Sequence, residues 1–436
     1  MSEPLARPEH PRFFEAFRFW LKLGFISFGG PAGQIGIMHQ ELVERRRWIS
    51  ERRFLHALNY CMVLPGPEAQ QLAIYIGWML HRTWGGIVAG ALFVLPSLFI
   101  LAALTYVYLV YGDVTFVQGV FNGIKPAVVA IVGFAAWRIG TRALKNRLLW
   151  GFAAASFIAI FVFRVPFPLI VITAGILGFI GGWLAPDKFR VGGGHGSAVA
   201  AHGPALIDDD TPPPAHARFR PWRLALLVVL FVALWAVAMA MLTQPDLRDM
   251  GTFFTKAALV TFGGAYAVLA YVNQQVVEAF GWITQTQAVA GLALAETTPG
   301  PLVIVLQFMG FMAGWNDPGA LGQAQGAVLA ALLAAWATFL PSFVFIFLGA
   351  PHLEKLRANA RLAGAMAGIT AAVVGVIASL AVSFGRAVLL PGGAEAPAWG
   401  AIAIALAALL LLLRTRLEVL WVIAGGALAG LLLGVA

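Results

Sequence analysis

Phe28-Gly29-Gly30, Trp48-Ile49 and Pro65-Gly66-Pro67 return as Phe262-Gly263-Gly264, Trp282-Ile283 and Pro299-Gly300-Pro301. The offset is 234 at all three points (262−28, 282−48, 299−65). Leu95-Pro96-Ser97 returns as Leu340-Pro341-Ser342 at an offset of 245 (341−96), and Gly123-Ile124 returns as Gly368-Ile369 at that same offset. The second copy therefore carries 11 extra residues (245−234), and Asn316 to Gly326, rich in Gly, Pro and Gln, is the place for them. A repeated chain whose apolar helices are broken by glycine and proline at matching positions has the pattern of a secondary transporter.

Composition puts the chain in a membrane. Hydrophobic residues make up 60% and charged residues 11%, against about 25% charged in soluble domains. Runs such as Gly86 to Leu109 and Leu224 to Met241 are long enough to cross hydrocarbon. The net charge of +9 does not point to nucleic acid, because the arginines sit in short clusters between apolar spans, as in cytoplasmic loops. Cys61 is the only cysteine, so there is neither an intrachain disulfide nor a thiolate metal site, and the residue reads as a small core side chain. The polar stretch Met1 to Pro11 has no apolar core before a cleavage site, so no cleaved signal peptide is expected.

The expected organisation is a tail (1–12), a first repeat (13–186), a linker (187–221), a connecting transmembrane helix (222–245) and a second repeat (246–436). The linker holds Gly192-Gly193-Gly194, Asp208-Asp209-Asp210 and Pro212-Pro213-Pro214, a composition expected to bury no core and to be flexible. His195, His202 and His216 read as incidental to it, not as a metal tail. Matched loops carry opposite charge bias. Arg45 to Arg53 holds five Arg while its match, Glu278 to Gln287, holds no basic residue. Arg138 to Arg147 holds four basic residues, and its match, from Ser383 onward, only Arg386. The bias then swaps: Val107 to Phe116 has none, while His352 to Arg361 has Lys355, Arg357 and Arg361. Basic loops stay in the cytoplasm, so the two halves are expected to be inverted.

Parity then demands re-entrant hairpins. Arg45 to Arg53 and Arg138 to Arg147 lie on one side only if 54–80 turns back at Pro65-Gly66-Pro67. Its arms of roughly 11–13 residues reach about 16–20 Å, past the middle of the core. A second hairpin, 13–44, turns at Gly29-Gly30-Pro31. Spans follow at 84–110, 114–137, 148–165, 167–185 and 222–243. The second half has hairpins at 252–277 and 286–314 and spans at 324–349, 362–384, 397–413 and 417–435. The expected fold class is thus an all-α integral membrane protein of two inverted-topology repeats, each with two broken helical hairpins and about four spans. The N-terminus is placed in the cytoplasm and the C-terminus in the periplasm.

The run Gly24-Phe25-Ile26-Ser27-Phe28-Gly29-Gly30-Pro31, with Trp48, Pro65-Gly66-Pro67 and Leu95-Pro96-Ser97, resembles the chromate ion transporter family in its long, two-domain form. The likeness covers nearly the whole chain outside the tail and linker. It implies a bacterial inner-membrane exporter of chromate that confers resistance, with halves of opposite orientation. Ala265 stands where Pro31 stands, so symmetric binding by the two halves is not expected.

Chromate and sulfate are tetrahedral dianions, which in hydrocarbon need backbone donors and cations. Helices restarting after each break offer free N–H groups and the positive end of the dipole. Pro67 and Pro301 suit a first helical turn, and Gly66 and Gly300 allow close approach. The candidate substrate-binding residues are Lys22, Ser27, Gly29, Gly30, Gly66, Lys125, Lys256, Thr261, Gly263, Gly264, Thr298 and Gly300. Lys22 and Lys256 are equivalent (256−22 = 234) and either face a cavity or snorkel. Lys125, whose counterpart is Thr370, either caps the site from one half or is an interfacial lysine. Glu68 and Glu296 flank the Pro-Gly-Pro turns. An ionised carboxylate sits poorly beside a dianion, so both are candidates for proton coupling, with Glu68 equally readable as a helix N-terminal acid. Asn59, Gln70, Gln71 and Thr297 are weaker candidates. Ser97 and Ser342, each after a helix-kinking proline, are expected to bond back to freed carbonyls.

An enzyme is excluded by the lack of His-Glu-x-x-His, of Gly-x-Ser-x-Gly and of paired intramembrane aspartates. There is no phosphate loop for an ATP-driven pump, and no cofactor is expected. A channel and a carrier for sulfate or another oxyanion remain the alternatives. An inside-negative potential favours anion exit by about 2.3 kcal/mol per charge per 100 mV. The partners expected are an oxyanion and the bilayer; the pattern does not separate a monomer from a homodimer.

Overall fold

Gly and Pro punctuate the helices of this chain where the sequence places them. The computed structural model describes residues 6–189, 203–212, 221–242, 244–262, 264–349, 360–393, 395–415 and 417–433. Gly263, the glycine triplet and the three histidines of the linker, and the basic loop with Lys355 and Arg357 lie outside the described residues. The helices are α1 (Phe13–Ile26), α2 (Gly30–His39), α3 (Glu51–Cys61), α4 (Glu68–Tyr111), α5 (Thr115–Ala143), α6 (Arg147–Phe161), α7 (Phe167–Leu184), a single turn α8 (Pro186–Phe189) and α9 (Pro221–Met241). The second half follows with α10 (Pro245–Leu259), α11 (Ala265–Asn273), α12 (Gln285–Thr297), α13 (Val305–Asn316), α14 (Gln323–Gly349), α15 (Ala360–Leu389), α16 (Trp399–Arg414) and α17 (Val419–Leu433). Among the described residues there is no strand, only an isolated bridge between Ile49 and Ile207.

Among the described residues five helices are long and apolar enough to cross a membrane: Glu68–Tyr111, Thr115–Ala143, Phe167–Leu184, Gln323–Gly349 and Ala363–Leu389. The expected spans 148–165, 397–413 and 417–435 are shorter helices of 15, 16 and 15 residues. At 1.5 Å per residue they rise about 22–24 Å, less than a 30 Å core.

The repeat is visible in three dimensions. α2 and α11 both run into a π-helical turn, Gln40–Arg45 and Gln274–Ala279, at the 234 offset. The next helix is capped alike in both halves: Ser50 Oγ accepts from the Arg53 N–H, and Thr284 Oγ1 from the Gln287 N–H. Phe19 meets Trp48 edge to face at 5.4 Å, as Phe253 meets Trp282 at 6.0 Å.

In each half the chain reverses where a hairpin was expected to end. His81 and Arg82 leave the helical region inside α4, and Gly77 then packs on the Gly85 carbonyl while Gln70 donates to the Gly90 carbonyl (3.4 Å). Residues 68–80 and 83–111 are thus antiparallel. Likewise Gly314 packs on Gly326 and Gly310 on Ala330 across the loop 317–322, which falls where the extra residues were expected. At the first half's mouth His81 Nε2 meets the Pro11 carbonyl (2.9 Å), and Arg46 lies over Phe19 and Trp48. At the second half's mouth Asn316 donates to the Trp282 carbonyl (2.9 Å), and Gly319 abuts Gln244. The two mouths sit at opposite ends of the 83–111 helix: Gly86 touches Phe347 near one end, and Tyr106 meets Trp315 near the other.

The halves interlock through small residues. Gly364 and Gly368 of α15 pack backbone to backbone on Gly178 and Gly182 of α7, and Gly119 and Gly123 of α5 pack on Gly426 and Gly430 of α17. Such seams let helices approach closely where lipid offers no hydrophobic drive between them. Gly119 and Gly123 match Gly364 and Gly368 at the 245 offset (364−119, 368−123), so the two seams are reciprocal.

Part of the expected linker is packed. Ala205 and Ile207 are buried, the Leu206 and Ile207 N–H groups donate to the Arg47 and Trp48 carbonyls, and Arg7 pairs with Asp210 at 2.9 Å. The acidic triplet docks beside the basic loop with its charges paired to Arg7 and Arg52, while Arg53 donates to the Thr211 carbonyl, a long-range match that local composition does not express.

Candidate functional site

The broken tips of the two halves meet, and they meet reciprocally. The Gly66 N–H donates to the Thr261 carbonyl at 2.9 Å, and the Gly300 N–H donates to the Ser27 carbonyl at 2.7 Å. Gly66 matches Gly300 and Ser27 matches Thr261, so one contact is made twice. Gln34 Nε2 adds bonds to the Gly300 carbonyl (2.5 Å) and the Ser27 carbonyl (3.3 Å). Each Pro-Gly-Pro turn also abuts the Pro-Ser kink of the other half. A methyl at Gly300 would fall 1.8 Å from Ser97 Oγ, and one at Gly66 would fall 3.1 Å from Ser342 Oγ.

These contacts sort the candidate glycines into two kinds. Gly66 (φ +117°) and Gly300 (φ +97°) are close-packed, with amides already spent across the interface, so neither N–H is a free donor here. They are glycine because of left-handed φ and lack of room. Gly30 (φ +66°) and Gly264 (φ +93°) border open space, since a Cβ on either would meet nothing within 4 Å, and one on Gly29 (φ +83°) would meet only Gly33 Cα at 3.8 Å. Among the described residues the N–H groups of Gly30, Ala32, Ala265 and Tyr266 have no backbone acceptor. They are the donors at the starts of α2 and α11, where the helix dipole is positive.

The hydroxyls also differ from expectation. Ser27 donates to the Leu23 carbonyl (2.6 Å), Thr261 to Ala257 (2.6 Å), and Thr297 and Thr298 both to Leu294 (2.8 and 2.7 Å). Each bonds back along its own helix and keeps only acceptor capacity. Ser97 and Ser342, expected to do this, do not: they are 0% and 1% exposed, and neither Oγ has a partner among the described residues. Each hydroxyl lies instead against the glycine turn of the other half, Ser97 at Gly300 and Ser342 at Gly66. A buried donor without a partner costs about 1–3 kcal/mol, and here it occurs twice at matched positions. Buried, unpartnered side-chain oxygens of Gln34, Gln70 and Gln71 join them.

The candidate lysines are not gathered at the tips. Lys22 and Lys256 lie on exposed faces of α1 and α10, and Lys125 is half-buried on α5, the helix packed against α12. None has an ion-pair partner among the described residues. Glu296 is 8% exposed, and its carboxylate accepts from the Tyr266 hydroxyl at 2.5 Å. Glu68 opens α4 after Pro67 and has no hydrogen-bond or ion-pair partner among the described residues. Cys61 is fully buried in the core beside it, as its size suggested. No group of three or more metal-ligating side chains occurs among the described residues.

Sequence reasoning passed over Gln34 and Tyr266, and it gave Ser97 and Ser342 only a back-bonding role. The serines carried a signal, their matched place after matched prolines; Gln34 and Tyr266 have no counterpart of like chemistry (Val268 and Ala32).

Comparison with known proteins agrees with this architecture. The family described as "Chromate transporter" matches residues 14–179 and 248–431, one stretch in each half. A chromate transport protein of Cupriavidus metallidurans is 31% identical over 414 residues, covering 95% of this chain and 91% of its own. A probable chromate transport protein of Synechococcus elongatus is 30% identical over 384 residues, 86% of each chain. A chromate transport protein of Pseudomonas aeruginosa is 30% identical over 384 residues, 86% of this chain and 81% of its own. No solved structure matches.

Proposed function

The chain belongs to the chromate transporter family, and from that premise we propose that it exports chromate from the cytoplasm across the inner membrane. The carrying observation is the reciprocal contact of Gly66 with Thr261 and Gly300 with Ser27, which gathers donors from both halves around one centre. The halves act as an inverted repeat, each mouth opening to one face of the membrane. Three things support this reading: the mouths lie at opposite ends of 83–111, the seams are reciprocal, and only the first half's mouth is rich in arginine.

The oxyanion binds between the tips. The N–H groups that open α2 and α11 and the hydroxyls of Ser97 and Ser342 replace its hydration, in a setting where helix dipoles act with little screening. Lys22 and Lys256 act from exposed faces, as approach charges and not as ligands. The membrane potential favours exit of a dianion by about 4.6 kcal/mol per 100 mV, twice the single-charge value. The Glu296–Tyr266 pair, and Glu68 just after the first Pro-Gly-Pro turn, carry protons when the gradient alone is too weak.

The test is chromate flux in proteoliposomes. Flux should follow an imposed potential, and a pH gradient should add to it. Glu296→Gln should abolish the response to the pH gradient and keep the response to potential. No flux above protein-free vesicles, or flux blind to potential, would overturn the reading.

A further inference from the structure

A cavity of about 640 Å³ lies away from the tips, among α6, α11, α12 and α15. Arg164, Asn273, Glu278, Gln285, Ser383 and Arg386 line it. It sits at the far ends of the two helices that lead to the centre. α11 runs nine residues from the Gly264 break to Asn273, and α12 runs thirteen residues from Gln285 to Thr297 before Pro299-Gly300-Pro301. At 1.5 Å per residue these are paths of about 13 and 20 Å.

Its polar groups are not satisfied among themselves. Asn273 is 3% exposed and donates to Gln285 Oε1 at 3.3 Å, yet its own Oδ1 and the Gln285 Nε2 have no partner. However the two amides are oriented, one N–H₂ group of the pair is left over. The repeat gives that surplus a meaning. Asn273 matches His39 and Gln285 matches Glu51 (273−39 = 234, 285−51 = 234). In the first half the His39 ring meets the Glu51 carboxylate at 2.5 Å and Glu44 at 3.2 Å. The second half keeps the geometry and discards the charge, so a carboxylate becomes an amide donor. At the 245 offset, Arg386 replaces Thr141 and Ser383 replaces Arg138, and Arg164, 4.0 Å from Glu278, joins the wall. The cavity therefore carries two guanidiniums against one carboxylate, with amide and hydroxyl donors between.

We propose that this cavity is a second, weaker binding site for a tetrahedral divalent oxyanion, in which the substrate pauses between the centre and the mouth of the second half. The inference rests on the function proposed above. Arg386 supplies charge and Gln285 and Ser383 supply hydrogen bonds; Arg164 is shared with Glu278, which keeps the affinity low enough for release.

Equilibrium dialysis of radiolabelled chromate against the purified full-length protein tests it. The wild type should give a tight and a weak component. Arg386→Gln, and separately Gln285→Glu, which restores the first half's carboxylate, should each weaken the weak component at least tenfold. Arg386→Lys should keep it, and the tight component should persist in all three. An isotherm of unchanged shape in both Arg386→Gln and Gln285→Glu would overturn the second site while chromate binding and flux by the wild type continue. Absence of any binding by the wild type would overturn both this site and the function it rests on.

Discussion

A buried hydroxyl with nothing to donate to is an unusual residue in a membrane bundle, and Ser97 and Ser342 are two of them at one repeat position. The glycines they face explain why. Gly300 leaves room for Ser97 only because it has no Cβ, and its φ of +97° favours glycine independently. Gly66 has the same φ sign but more forgiving neighbours, since its nearest contacts are the flexible end of Gln71 (2.8 Å) and Ser342 Oγ (3.1 Å). Left-handed backbone costs a non-glycine residue about 1–2 kcal/mol, and at Gly300 a steric clash adds to that. Gly300→Ala should therefore lower thermal stability clearly more than Gly66→Ala, and Ser97→Ala should recover part of the Gly300→Ala loss. Equal melting temperatures for the two alanine variants would show that the opposing serines are not what the turns pack against.

At the scale of the element, the broken helices are held by caps and turns that occur twice. Thr284 and Gln287 form a capping box at the start of α12, and Ser50 caps α3 at the matching place. Removing such a cap costs about 1 kcal/mol. Thr284→Ala should lower the unfolding midpoint by a few degrees in a thermal scan, and Thr284→Asp should restore it; an unchanged midpoint for Thr284→Ala would mean that the cap contributes nothing in this bundle. The breaks themselves were legible, because Gly-Gly and Pro-Gly-Pro interrupt helices by local backbone chemistry. The partners of the freed groups were not. That the Gly66 and Gly300 amides would turn to Thr261 and Ser27 depends on how two distant halves dock. The same limit applies to Ser97, whose local reading as a back-bonding serine gives no hint of the Gly300 turn from the other half packed against its hydroxyl. It also explains residues 203–212, which pack on the Arg45–Arg53 loop although their own composition argues for a free linker.

For the whole molecule, the 234 offset predicted more than the helix count did. It anticipated the meeting of the tips, and the paired π-turns and edge-to-face Phe–Trp contacts follow the same offset, because a repeated sequence folds into repeated contacts. It gave no warning that α6, α16 and α17 are short or that the second half's mouth would hold a cavity, since matched positions there differ in chemistry: His39 against Asn273, Glu51 against Gln285. The account stands on one claim, that donors from both halves converge on a single oxyanion. Equilibrium dialysis of chromate against Ser97→Ala, Ser342→Ala and the double variant measures this directly. Each serine donor lost to a charged ligand is worth about 1.5–3 kcal/mol, so each single variant should weaken the tight component about tenfold or more, and the double variant should lose it. A double variant that binds chromate as tightly as the wild type would contradict the claim.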